Sequence, residues 1–352
     1  MKQKLKTAIG FGIALPIVSI VTLLGLEFNP GPTEKVRVQN TRPIQQAPAN
    51  KSLTLISWNL QFAGSRKHHF FYDGGKAVHV PSSDVQSTLS EIVAVLKERN
   101  PDFALLQEID QHSDRTGNID QLEPLKGFST GINWVTTPYH KVPYVPHPNH
   151  EPMGRVNLNL GTLSKYEIFS STRHQLALLK EPRWRQFFNL KRALLETIIP
   201  IGVGANRPHL ILGNTHLSAF SRGDGTLEKQ ISQLKTWIDG IPTGQPWILA
   251  GDFNLLPPKD TPSRLGEDAN LYADAKNPIS TLMNQYKSAF PEPLAEDART
   301  YLPFGSEVPD RKIDYIFYGG PIEIESATVL RQASSISDHL PLEIRFRLTT
   351  SP

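Results

Sequence analysis

Trp247-Ile248-Leu249-Ala250-Gly251-Asp252-Phe253-Asn254 runs four apolar residues straight into a glycine, an acid, an aromatic and an amide. The apolar half reads as a buried strand whose end delivers a carboxylate and an amide to one spot. The same pattern recurs on either side. Leu53-Thr54-Leu55-Ile56-Ser57-Trp58 stops at Asn59, Phe103-Ala104-Leu105-Leu106 stops at Gln107-Glu108, and the run from His209 to Asn214 meets Thr215-His216. Towards the C-terminus, Ile313-Asp314-Tyr315-Ile316-Phe317-Tyr318 carries an acid at its start, and Asp338-His339 precedes the last apolar run, Leu342 to Leu348. Asn157 to Leu163 and Ala193 to Ile199 read as further strands.

Two segments have helical spacing instead. Leu89, Ile92, Val93 and Leu96 share one face of a helix over Asp84 to Arg99, with Ser82 or Ser83 as N-cap and Asn100-Pro101 as the stop. Leu227, Ile231, Leu234 and Ile238 line a second. Each helix lies between strands, which predicts an α/β fold of sheets packed on each other with helices outside. Residues 110–152, rich in His, Pro, Asn and Gly, read as long loops over one end of the domain, a place for substrate selection.

With 352 residues, 39% hydrophobic and 20% charged, the chain has the composition of an ordinary globular protein, which argues against disorder, collagen and coiled coil. Cysteine is absent, so disulfides, thiolate zinc sites and a cysteine nucleophile are excluded. The formal net charge is +3, and Lys2, Lys4 and Lys6 against Glu27 take two of that, leaving +1 for the rest. No bulk basic footprint for nucleic acid remains.

The run Thr7 to Leu26 carries no charge and follows three lysines. As a helix of about 1.5 Å per residue it matches a hydrocarbon core of about 30 Å, and the lysines ahead of it predict the N-terminus inside and the following chain translocated. Residues 1–26 are therefore expected to anchor an extracytoplasmic domain in a membrane. A cleaved secretory signal and a buried core helix are the alternatives. Residues 27–51, with four prolines and several Gln and Asn, read as an extended linker, and 52–352 as the catalytic domain.

Each polar strand end alone is an ordinary turn residue. Together they make a set of carboxylates, amides and imidazoles without thiolates, which suits Mg²⁺, or Mn²⁺, completed by water and phosphate oxygens. Two histidines beside such an ion point to phosphate-ester hydrolysis. The order of the motifs resembles the endonuclease/exonuclease/phosphatase superfamily. Ser57-Trp58-Asn59-Leu60-Gln61, Leu106-Gln107-Glu108-Ile109, Gly213-Asn214-Thr215-His216-Leu217, Gly251-Asp252-Phe253-Asn254, Ile313-Asp314-Tyr315 and Ser337-Asp338-His339-Leu340-Pro341 look like its successive motifs, over residues 53–348.

The resemblance implies a four-layer α/β/β/α sandwich of two mixed sheets. It implies Glu108 as the principal Mg²⁺ ligand, helped by Asn59 and Asp338. Asp252 and Asn254 would orient or activate water, touch the phosphate, or complete a second metal position. His216 would donate to a phosphoryl oxygen, and His339, oriented by Asp314, would stabilise charge or transfer a proton. The expected substrate is a phosphodiester of a lipid head group or a nucleic acid, with the membrane met through the N-terminal helix and no protein partner. The alternatives are a silent scaffold on the same fold and a soluble inositol or sugar phosphomonoesterase. Arg183, Arg185, Lys191 and Arg192, interleaved with Trp184, Phe187 and Phe188, read as a solvated edge, with a substrate or bilayer contact as the competing reading.

Overall fold

The computed structural model describes residues 27–41, 45–49, 51–202, 208–219, 223–272 and 277–349. The expected membrane segment lies outside these residues. Among the described residues, no helix is long and apolar enough to cross a membrane.

Two β-α-β units organise the fold. Strand β2 (Ser52–Asn59) passes through helix α1 (Ser82–Arg99) to β3 (Phe103–Asp110), which lies parallel to it. Strand β8 (His209–His216) passes through helix α2 (Thr226–Asp239) to β9 (Trp247–Asp252), again parallel. A parallel pair needs a crossover long enough to return the chain to the starting end, and both helices supply it. Each unit is extended by antiparallel neighbours. On the first lie β4 (Asn133–Val145), β5 (Gly154–Ser164), β12 (Ile322–Val329) and β13 (Leu342–Leu348), in the order β12-β13-β2-β3-β5-β4. On the second lie β1 (Thr33–Val36), β6 (Ser170–Gln175), β7 (Ala193–Pro200), β10 (Lys287–Ser288) and β11 (Asp314–Gly319), in the order β1-β6-β7-β8-β9-β11-β10.

Period-two alternation then stacks the layers. On β9, Ile248 and Ala250 join the core between the sheets, whereas Trp247 and Leu249 join Leu227, Ile231, Leu234 and Ile238 under α2. Helix α1 buries Val85, Leu89, Ile92 and Leu96 against the six-stranded sheet. The result is the expected α/β sandwich of two mixed sheets. Because the parallel pairs share a direction, Asn59, Glu108, His216 and Asp252 finish near one end of the sandwich. The antiparallel β11 and β13 start at that end, with Asp314 paired to Asp252 and Leu342 to Ser57.

Three expectations need correction. The stretch read as a linker is largely built into the domain: Thr33–Val36 pairs with β6, Gln39 bridges Trp134, and Ala47 is fully buried beside Ile201. Pro30, Pro32 and Pro48 flank the pairing residues, so they do not remove the ladder bonds. Residues 110–152 include the long strand β4, whose Pro138 and Pro143 sit on an edge strand with irregular register, where a missing N–H is tolerated. Helix α1 starts directly after Pro81, with no serine side chain capping it.

Candidate active site

The six-stranded sheet presents Glu108 through a kink. The β3–β5 register breaks between Leu106 and Ile109, and Glu108 adopts φ +60°, a left-handed backbone that turns its side chain inward. Asn214 of β8 holds this kink from the opposite sheet. Its Nδ2 donates to Leu106 O at 3.0 Å and Gly161 O at 2.8 Å, while its Oδ1 accepts from Gln107 Nε2 at 2.7 Å. Both side chains are fully buried. Asn214→Leu is expected to cost about 3 kcal/mol by stranding these partners in the dry seam. The urea midpoint checks this, and an unchanged midpoint would remove the seam's structural role.

On β9, Gly251 approaches β8 so closely that an added Cβ would meet Thr215 O at 1.9 Å, and its φ of +146° favours glycine. That approach brings Asp252 beside His216, with Oδ2 3.2 Å from Nε2. Asn59 Nδ2 donates to the same Asp252 oxygen at 3.1 Å and to Glu108 Oε1 at 3.3 Å. Its Oδ1 is taken by the Gln61 N–H at 3.0 Å. As oriented, Asn59 clamps the two acids together. Asn254 donates its N–H to Asp252 Oδ1 at 2.9 Å and its Nδ2 to Leu217 O. His339 Nδ1 lies 2.9 Å from Asp314 Oδ2, and its Nε2 points at Asp252 from 3.7 Å.

Two imidazoles in one site are thereby placed in opposite states. Burial pushes His216 well below its ordinary value, and Arg192 and His339 push the same way, so it is neutral. Its Nε2 faces a carboxylate and carries the proton, so Nδ1 accepts from the Tyr139 hydroxyl at 3.1 Å. Burial keeps that phenol protonated. For His339 burial also disfavours charge, but Asp314, Asp252 and Asp338 outweigh it and hold the ring well above its ordinary value as an imidazolium.

Seven of the eight predicted residues, Asn59, Glu108, His216, Asp252, Asn254, Asp338 and His339, line one cavity of about 290 Å³, and Asp314 stands behind His339. The site holds more buried negative charge than its own cations neutralise. Burial pushes Asp338 up to about 7, with Glu108 adding to it, and burial with Asp314 pushes Asp252 up to about 7. Of the guanidiniums on the wall, Arg115 is spent on Asp110 and Arg311 on Asp310 and Asp268. Oxygen donors short of positive charge fit a hard divalent cation. Asp252, Asp314 and His339 also offer donor atoms within 4.8 Å of one another. Asp314 is engaged with the His339 ring, so Glu108 and Asp338 are the freer pair.

Residues 56–339 match the Endonuclease/Exonuclease/phosphatase family. The chain belongs to that family. Endonuclease/exonuclease/phosphatase proteins are hydrolytic phosphoesterases that generally depend on a divalent metal, and this chain is such an enzyme. Solved structures share the fold. The endonuclease/exonuclease/phosphatase of Beutenbergia cavernae is 21% identical with a TM-score of 0.58, over 86% of this chain and 72% of that one. A Bacteroides vulgatus protein of the same description is 15% identical with a TM-score of 0.53, over 85% and 99%. The human Nocturnin catalytic domain, solved with bound sulfate, is 16% identical with a TM-score of 0.53, over 89% and 97%. No curated protein sequence matches the chain.

This endonuclease/exonuclease/phosphatase site contains residues that the sequence reading passed over. Arg192, read there as part of a solvated edge, is buried in the cavity wall over the Tyr139 ring, its Nη1 without a hydrogen-bond partner. Gln61 receives the Asp338 N–H, and Tyr301 stacks edge-on against His339. Position next to an apolar strand was the available signal for Arg192, and Pro138 beside Tyr139 obscured the other.

The raised acids have a thermal consequence. Asp252 and Asp338 sit above their unfolded value of 3.8, so the folded chain binds extra protons between there and about 7. Stability then falls as pH rises through that window. In chelator the melting temperature is expected to drop from about pH 5 to about pH 8, and Mg²⁺ to restore more of it at the upper end. A melting temperature that climbs with pH in chelator would contradict this.

Proposed function

We propose that this phosphoesterase cleaves a phosphodiester at a lipid head group, with Mg²⁺ held by Glu108 and Asp338, from a domain tethered on the extracytoplasmic side of a membrane by residues 7–26. The shape of the cavity carries the substrate reading. It is a pocket lined by Phe71, Tyr72, Met153, Leu190, Leu271 and Tyr272, and among the described residues the guanidiniums that line it are Arg115 and Arg311, each paired with an acid, and the single Arg192, which make no row of free cations. A duplex tracked by its phosphates needs an open groove with repeated Lys or Arg contacts, whereas a single head group with an apolar tail suits a closed polar floor and an apolar rim. The tether reading rests on the lysines and the apolar run at the N-terminus, with release by signal cleavage as its alternative.

The bound cation would supply charge neutralisation at the phosphoryl oxygens and a lowered pKa for its water. The chain's own residues supply the rest. Asp252, ionised, orients the attacking water and accepts its proton. Asn254 and Asn59 hold that carboxylate in place. The His339 imidazolium and the buried Arg192 stabilise the charge that grows as the P–O bond breaks. His216, donating from Nε2, fixes Asp252 and reaches the same phosphate.

The test uses the full chain in lipid nanodiscs with Mg²⁺ on phospholipid and sphingolipid diesters, plasmid DNA and inositol phosphates, beside Glu108→Gln. Release of a phosphorylated head group that disappears in the variant is the expected result. Nicking of plasmid at a comparable rate would replace the lipid reading with a nuclease, and silence on every substrate would overturn the lipid reading in favour of a phosphate ester outside this panel.

A further inference from the structure

We infer that the segment Lys180–Lys191 is the face this domain lays on a bilayer rich in anionic lipid, an inference that rests on the tether reading above. Two separate observations meet there. The apolar run Thr7 to Leu26 joins the described chain at Glu27, whose Oε1 lies 3.7 Å from Lys191 Nζ, and the Phe28 ring sits under the Arg173 guanidinium at 5.6 Å. Consecutive Cα atoms are about 3.8 Å apart, so a membrane segment ending at Leu26 holds this part of the domain against the lipid surface.

The second observation is the surface itself. Trp184 is 65% exposed on a single helical turn, Arg183–Gln186, with Arg183 and Arg185 exposed on either side and Arg185 over the indole at 5.1 Å. Phe187 and Phe188 pack back onto the core, which leaves the tryptophan alone facing outward. Indole between guanidiniums is the side-chain set that settles at a headgroup layer, the ring at the acyl boundary and the cations on lipid phosphates. Lys180 adds an exposed cation, while Glu181 is engaged by Asn189 Nδ2 at 2.6 Å. The turn is well supported: the His140 ring donates to Phe188 O at 2.9 Å, and Lys191 bonds the backbone of Gln186.

The same segment continues into the catalytic wall, since Leu190 and Arg192 line the cavity. Docking through Trp184 therefore sets the cavity's apolar rim beside the lipid surface, so that a head group enters without leaving its leaflet.

The chain contains no cysteine, so a single introduced thiol labels one position. Trp184→Cys carrying an environment-sensitive fluorophore, in the full chain reconstituted into phosphatidylglycerol vesicles, is compared with Glu98→Cys on the exposed side of α1. Spin-labelled lipids are expected to quench the label at 184 several-fold more than the label at 98, and Arg183→Glu with Arg185→Glu to abolish the difference. Equal, water-like emission at both positions on a chain that floats with the vesicles would overturn the docking face and leave the tether standing. A chain that does not float with vesicles would overturn both. Phosphoesterase activity enters none of these readouts.

Discussion

Asp252→Asn is expected to lower kcat by about 10³-fold while changing Mg²⁺ affinity by less than about tenfold. The substitution keeps the shape and the contact to the Asn254 N–H, but it removes the carboxylate that both imidazoles face. The pH profile separates loss of a base from loss of packing. As the proposed base, Asp252 would work ionised, and burial holds it up to about 7, so kcat in the parent should rise with pH through an acid limb, displaced below 7 by the cation. The variant should lose that limb and run flat at its residual rate. A limb that survives in the variant would assign the titrating base to another residue. An unchanged kcat would remove Asp252 from the chemistry altogether.

Glu108→Gln is the second large effect, and it acts on metal and rate together. Losing an outer partner of a metal ligand already costs about 10–100-fold in affinity, so replacing a ligand carboxylate should cost more than about 100-fold. Calorimetric titration with Mg²⁺ reads this directly. The fold should tolerate the change, since the amide is isosteric and the kink that presents residue 108 is held by Asn214 and Gln107 from behind. Removing a carboxylate that burial holds high should leave chelator-treated protein no less stable than the parent. Intact Mg²⁺ affinity in Glu108→Gln would move the cation to the Asp252, Asp314 and His339 group.

Much of this was readable because the two β-α-β units are regular. Their strands are short apolar runs, their helices carry clean 3.6-residue stripes, and each strand carries at or near its end a polar residue that lines the cavity. The site assembled as expected because strand direction alone brings those ends together. What escaped reading depends on tertiary context. Strand β4 carries two prolines that only an edge position permits, and β1 pairs within a proline-rich stretch that owes its order to β6. The left-handed kink at Glu108 has no local cause in Gln107-Glu108-Ile109. It exists because Asn214, more than a hundred residues away, accepts and donates across the seam. Arg192 reads as solvent-facing from its basic neighbours, and its burial in the cavity wall over the Tyr139 ring, a contact between distant parts of the chain, is what places it inward. The charge states of His216 and His339 follow from which acids reach each ring, which sequence order does not encode.

The order of strands in the six-stranded sheet fixes when the enzyme can first act. Strand β13 occupies the slot between β12 and β2, so one flank of the first long strand to be synthesised stays unpaired until residues 342–348 arrive. Asp338 and His339 emerge just before them. Such long-range pairing forms late and slowly. A nascent chain that has not yet reached residue 339 thus carries Glu108, His216 and Asp252 without Asp338 and His339, and the six-stranded sheet that presents Glu108 closes on this flank only when β13 pairs with β2.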